Sequence, residues 1–274
     1  MRLPPPPPAT GPEAEAEAVA ARQLSAVNDA AGLRAALLAL LVPAGSRRPA
    51  LAWQVETVGN PAAAALRDEV NDLALVERLP WLEKLLVRMA RQPLIERQRL
   101  LEAARRVVRA RGAAWPIDTL HWLLMRQRLG EADRFAAPGA AEVAISQLPE
   151  DDVHAIARYS AFLARLVPSA TIDSKGHADW YALVMQGWLG RVPVPPCDPP
   201  PDVDALVRAL RQLQSLPWLQ RPVIVRTWVR AALKHSGEGG LAMEAADALR
   251  MSCTLLDSPM PPELAAHYIQ ARPQ

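Results

Sequence analysis

Five histidines and two cysteines are the residues here best suited to hold a metal or move a proton: His121, His154, His177, His235, His267, Cys197 and Cys253. A helix-borne zinc hydrolase site needs a pair of histidines one turn apart to bind the ion, with a glutamate between them to activate water. No His-Glu-x-x-His occurs, and the histidines are spaced too widely for any local zinc motif. The cysteines stand singly, one in a proline-rich stretch and one in an apolar helical pattern, which implies no disulfide framework and fits a reducing, cytoplasmic compartment. His177 has the richest surroundings, with Asp173, Lys175 and Asp179 just before Trp180-Tyr181. That grouping suits acid–base work, yet no nucleophile or orienting partner accompanies it, and Ser169 and Ser174 lack the Gly-x-Ser-x-Gly setting of an activated serine. The expectation is a solvated loop, no complete catalytic set and no cofactor.

Charge offers a second chemistry. The whole chain is nearly balanced at +2, but the stretch from Lys84 to Arg111 holds nine basic residues against Glu96 and Glu102, a local excess of +7. Arg97, Arg105, Arg106 and Arg109 are its candidate contacts for phosphate, anionic lipid or an acidic protein surface. No aromatic residues are interleaved to stack bases, so the nucleic-acid signal is weak. The competing expectation is an exposed helix face carrying i,i+4 pairs such as Glu102 with Arg106.

These residues must be positioned by helices. Half of the 274 residues are apolar and 22% are charged, a globular composition, and no strand alternation appears. Residues 1–15, proline followed by Glu/Ala alternation, read as a disordered tail without the apolar core of a signal peptide. The strongest apolar run, Ala35 to Val42, is far shorter than the ~20 residues that cross a bilayer, so a soluble chain without a transmembrane segment is expected. Two helices broken near Asn28–Gly32 fill 17–42, and others follow at 49–57 and from Pro61 toward Leu75. The next runs to Met89, and another from Pro93 to Gly112 has Leu94, Leu101, Ala104 and Val108 as its inward stripe. Pro116–Leu129 and Asp151–Leu166 complete an N-terminal helical region of 16–190, the latter with Val153, Ile156, Leu163 and Leu166 inward. Six prolines in Val192–Pro201 mark a linker at 191–201. Beyond it Asp202 caps a helix carrying Val203, Leu206, Val207, Leu210 and Leu213. Helices from Pro222 to Lys234 and on to Leu256 follow, then a proline stop at Pro259–Pro262 and a tail at 265–274.

One tetrapeptide recurs: Leu79-Pro80-Trp81-Leu82 returns as Leu216-Pro217-Trp218-Leu219. Each copy is followed by a second proline, a basic amphipathic helix, a glycine turn and an apolar helix, giving a first module at about 77–130 and a second at 202–264. Trp81 and Trp218 then occupy equivalent places, where both are expected to anchor helices and, less readily, to recognise a partner. Trp115 with Trp122, and Trp180 with Trp188, are each spaced to share a helix face.

The second copy reads Glu238-Gly239-Gly240-Leu241-Ala242-Met243-Glu244-Ala245-Ala246-Asp247-Ala248-Leu249-Arg250 and ends Leu255-Leu256-Asp257-Ser258-Pro259-Met260-Pro261-Pro262. It resembles the C-terminal extension of bacterial membrane-bound zinc peptidases of the HtpX and CAAX-protease type, and the first copy, preceded by Glu77-Arg78-Leu79-Pro80, is similar to an earlier segment of that extension. The resemblance runs over roughly residues 20–264 and omits the peptidase half. It implies an all-α chain of TerB-like modules, in which an acid before the glycine and acids on the next helix hold a divalent cation. Glu238, Glu244 and Asp247 are the matching carboxylates of the second copy, where Ala245 replaces another. In the first copy Arg111 precedes Gly112 and only Asp118 remains. A hard cation wants about six oxygen ligands, which this set does not supply alone. The implied function is a non-catalytic accessory or regulatory module that docks on a protein partner, such as a membrane peptidase, and is held through it at the inner face of the membrane. The alternatives are a divalent-ion or stress-response module, and an anionic-surface binder working through the arginine-rich helix.

Overall fold

The apolar run from Ala35 to Val42 becomes a helix buried on nearly every side, which is where a helix apolar around its circumference must go. It belongs to an all-α protein, seen in a computed structural model that describes residues 12–112, 115–130, 145–167, 174–188, 192–237 and 240–270. No strand occurs among the described residues. The chain divides into two compact units, Met1–Ala114 with Met125–Glu131 and Tyr268–Gln274, and Trp115–Leu124 with Ala132–His267.

The first unit is built from α1 (Pro12–Ala26), α2 (Ala30–Leu41), α3 (Arg47–Glu56), α4 (Ala63–Asp72), α5 (Leu75–Met89) and α6 (Leu94–Arg109), with α2 packed on α3, α4, α5 and α6. Residues 12–15, expected in the tail, are already helical, while 1–11 lie outside the described residues. The break between α1 and α2 is set by Asp29, whose carboxylate accepts from the Gly32 amide at 2.8 Å. A β-carbon at Gly32 would come within 2.8 Å of that carboxylate and 3.0 Å of Val27, so a larger residue there would have to displace the capping side chain. Alanines on α2 let its neighbours approach closely, and the Trp53 indole donates to the Ala35 carbonyl at 3.0 Å in the buried interior.

The inward stripe of α6 is Leu100, Ala103, Ala104 and Val107: Ala104 is buried as expected, while Leu100 and Val107 take the places expected for Leu101 and Val108, and Leu94 is half-buried. Adjacent pairs Leu100-Leu101 and Val107-Val108 make the two registers equally apolar, and packing against α2 and α3 selects between them. Gly112, at a φ of 90°, stops the chain after α6 in a conformation that favours glycine.

The division into units falls within α7 (Pro116–Leu129). The second unit contains α8 (Glu150–Leu163), α9 (Ser174–Met185), α10 (Val203–Ser215), α11 (Gln220–Ser236) and α12 (Met243–Leu255), with α8 against α9 and α10, and α11 against α9 and α12. Val153, Ile156, Leu163 and Leu166 are buried as the pattern requires, and Glu150, Asp151 and Asp152 occupy the first turn of α8, where the helix dipole favours acids. Asp202 caps α10 by accepting from the Ala205 amide at 2.7 Å.

Three expectations need correction. The proline run at 191–201 is not the boundary between units: its described residues 192–201 belong to the second, where Cys197 is buried and Pro193 and Pro195 accept hydrogen bonds from α8 and α9. The stretch around His177 is helical rather than loop, because Trp180, Val184, Met185 and Trp188 supply a buried side that outweighs its polar start. Finally, the chain does not run out at 264: Pro262 opens α13 (Pro262–Gln270), which buries Leu264 and Tyr268.

Candidate functional site

The carboxylates proposed for a cation are only partly in view. Glu238 lies outside the described residues; Glu244 is exposed in the first turn of α12, and Asp247 is half-buried one turn later. Asp118, the remaining acid of the first copy, is buried in α7. Among the described residues no three His, Cys, Asp or Glu side chains converge as a metal would need.

His177 joins a cluster around Arg165, just beyond α8. The Arg165 guanidinium reaches His177 Nδ1 at 2.8 Å, the Cys197 carbonyl at 3.5 Å and the Asp198 carboxylate. Arginine has only protons to give, so His177 accepts at Nδ1 and its ring proton sits on Nε2. The Cys197 thiol lies 3.9 Å from the His177 carbonyl, and burial pushes it up despite the pull of Arg165, away from the thiolate a nucleophile requires. The Tyr181 hydroxyl donates to the Pro195 carbonyl, its phenol likewise raised by burial, and His154 Nε2 contacts the Pro193 carbonyl at 2.7 Å. This is a clamp: a proline segment that cannot supply its own amides is held through its carbonyls by side chains of α8, α9 and Arg165.

The basic stretch is largely consumed by the fold. Arg88 donates to the carbonyls of Leu24, Ser25 and Val27 at 3.0, 3.0 and 3.1 Å, closing the C-terminal end of α1. Arg97 reaches the Leu129 carbonyl at the end of α7 at 3.2 Å. Arg106 pairs with Glu56 of α3 at 2.5 and 2.9 Å, a contact that holds the Glu56 carboxyl below its usual range. Its i,i+4 contact to Glu102 is long, at 4.0 Å, and Arg99 pairs with Glu96 at 2.6 Å. Arg105 and Arg109 are exposed. Of the four candidate contacts, Arg97 and Arg106 are thus engaged within the protein.

The repeated tryptophans part company. Trp81 is buried within α5, with the Lys84 ammonium 4.5 Å from its ring centroid, and serves the core as expected. Trp218, expected to be its counterpart, is 69% exposed in the turn between α10 and α11. In the first copy α5 runs through the tetrapeptide with Pro80 inside it, whereas in the second α10 ends at Ser215 and α11 begins at Gln220, which leaves Trp218 in a turn. Trp115 is also half-exposed, while Trp180 and Trp188 are buried.

The turn holding Trp218 is built firmly. Leu216 is buried, Gln220 donates its amide to the Pro217 carbonyl at 3.0 Å, and the largely buried Arg221 donates to the carbonyls of Leu216 at 2.9 Å and Leu256 at 3.3 Å. Burial lowers the pKa of that guanidinium, opposed by the nearby Asp257. On this fixed base stand Trp218, Leu219 at 46% and Val223 at 45% exposure, an apolar patch at the start of α11. A large aromatic group left in water on a rigid turn suits recognition better than stability. Reading Trp218 as a core anchor missed this, and the repeated residues carry no signal for it.

No protein-family model, curated protein or solved structure matches this chain.

Proposed function

We propose that this chain is a non-catalytic helical docking module, of the kind that its sequence suggests as the extension of a membrane zinc peptidase, and that it engages a protein partner through Trp218, Leu219 and Val223. The observation that carries this reading is the exposure of Trp218 on a turn braced by Arg221. Tryptophan is enriched among the few residues that dominate interface energies, and truncating such an anchor typically costs about 2 kcal/mol or more of binding. The polar clusters support it as well: Arg165, Tyr181 and Arg88 hold backbone carbonyls, and the Cys197 thiol is pushed away from its reactive form.

The test is co-expression with a membrane zinc peptidase of the HtpX or CAAX-protease type. The tagged chain should recover that protein, Trp218→Ala should lose it, and the variant should melt at the wild-type temperature. Equal recovery by the variant, or chelator-sensitive peptide hydrolysis by the purified chain, would refute the proposal.

A further inference from the structure

Helix α11 contains no aspartate or glutamate in its 17 residues, an unusual composition for a helix with a solvent-facing side. At ~100° per residue, Leu219, Val223, Arg226, Arg230 and Lys234 fall within about 80° of arc and form one stripe about 22 Å long. Arg226, Arg230 and Lys234 are exposed, and none of them makes an ion pair or hydrogen bond among the described residues. This separates them from Arg88, Arg97 and Arg106, whose charges are committed to the fold. The stripe is divided along its length: Trp218, Leu219 and Val223 at the N-terminal end, then three cations at four-residue spacing.

Resting on the docking reading above, we infer that the partner presents an acidic amphipathic helix that lies along α11. Its apolar side chains meet Trp218, Leu219 and Val223, and carboxylates repeating every fourth position face Arg226, Arg230 and Lys234. Four-residue spacing on both helices keeps the charges in register over two turns. An anionic bilayer fits less well. A helix lying in a membrane surface carries its apolar residues along its whole length with cations at their flanks, whereas here the two kinds succeed one another along the axis. Apolar contact supplies the anchor, and opposite charge supplies partner choice and the rate of encounter.

The experiment uses the full chain and a fluorescein-labelled 20-residue helical peptide with Glu at every fourth position on one face, ending in two leucines on the same face. Anisotropy is read for this peptide, for its Glu→Gln counterpart, and for the labelled chain with vesicles of phosphatidylcholine containing phosphatidylserine. The Glu peptide should bind, weaken steeply as salt rises, and bind roughly tenfold more tightly than the Gln peptide. Arg226→Glu with Arg230→Glu should weaken it by roughly tenfold or more, and Trp218→Ala by a similar factor, with both variants melting as wild type does. Equal binding of the Gln and Glu peptides, binding untouched by the arginine reversal, or association with vesicles but not peptide would each overturn the inference. Failure of the Glu peptide while Trp218→Ala still abolishes recovery of the natural partner would sink the acidic-helix assignment and leave the docking module standing. Recovery indifferent to Trp218 would sink both.

Discussion

Replacing Ser160 with alanine removes one oxygen from a fully buried polar group of the second unit. Trp228 and Ser160 are both fully buried, and the indole Nε1 donates to the Ser160 hydroxyl at 2.9 Å while its ring stacks on Tyr159 with centroids 5.2 Å apart. Alanine fills nearly the same volume, so the dominant effect is an indole N–H left in the interior without an acceptor. Leaving one buried donor unsatisfied costs about 1–3 kcal/mol. For a cooperative unit of roughly this size that corresponds to a fall in melting temperature of about 2–10 °C. Urea unfolding followed by near-ultraviolet circular dichroism reads the change in the tryptophan environment. Trp228→Phe removes the donor instead, at the expense of packing, and the double variant should be less destabilised than the two singles summed. A Ser160→Ala effect under about 0.5 kcal/mol, or strict additivity, would refute the claim that this hydrogen bond supports the core.

Three further outcomes are expected. Burial raises the Tyr159 phenol above its ordinary value against the opposing bond to Ser252, so its contribution is complete below about pH 10 and is lost as pH rises further; Tyr159→Phe should flatten the alkaline loss of stability by up to ~1.4 kcal/mol per pH unit. Arg165→Met removes the charged donor that holds Cys197 and Asp198; hydrogen exchange in 192–198 and thiol labelling of Cys197 should speed up by roughly 10–100-fold, the range set by charged hydrogen bonds of ~1.5–3 kcal/mol. Glu56→Gln breaks the pair with the half-exposed Arg106 and should destabilise by under about 1 kcal/mol at neutral pH. Because the Glu56 carboxyl is held low, that difference should vanish as acid protonates it, which urea midpoints at descending pH will show.

Local signals served well wherever one decisive residue settled the matter. Asp202 announced α10, Pro93 the start of α6 and Pro116 that of α7, and each helix begins there. Two kinds of fact were beyond the sequence. The register of α6 was undecidable because Leu100-Leu101 and Val107-Val108 are interchangeable by hydrophobicity, so tertiary packing chose. The proline run looked like a linker because prolines break helices, but its carbonyls are good acceptors, and Arg165, His154 and Tyr181 come from outside the run to meet them. For the candidate site, the tetrapeptide repeat drew attention to Trp218 and then misled, since the same four residues lie inside a helix in one copy and in a turn in the other. What distinguishes them is where the flanking helices begin and end, which the repeated residues do not encode.

The docking claim is tested most directly by placing a photo-crosslinking side chain at Leu219 and, as a control, at the still more exposed Val58 of the other unit, in cells making the full chain. Crosslinking at 219 to one partner in near-stoichiometric yield, lost in the Trp218→Ala background and absent at 58, is the predicted result. Adducts that are diffuse, indifferent to Trp218, or equally abundant at both positions would contradict it.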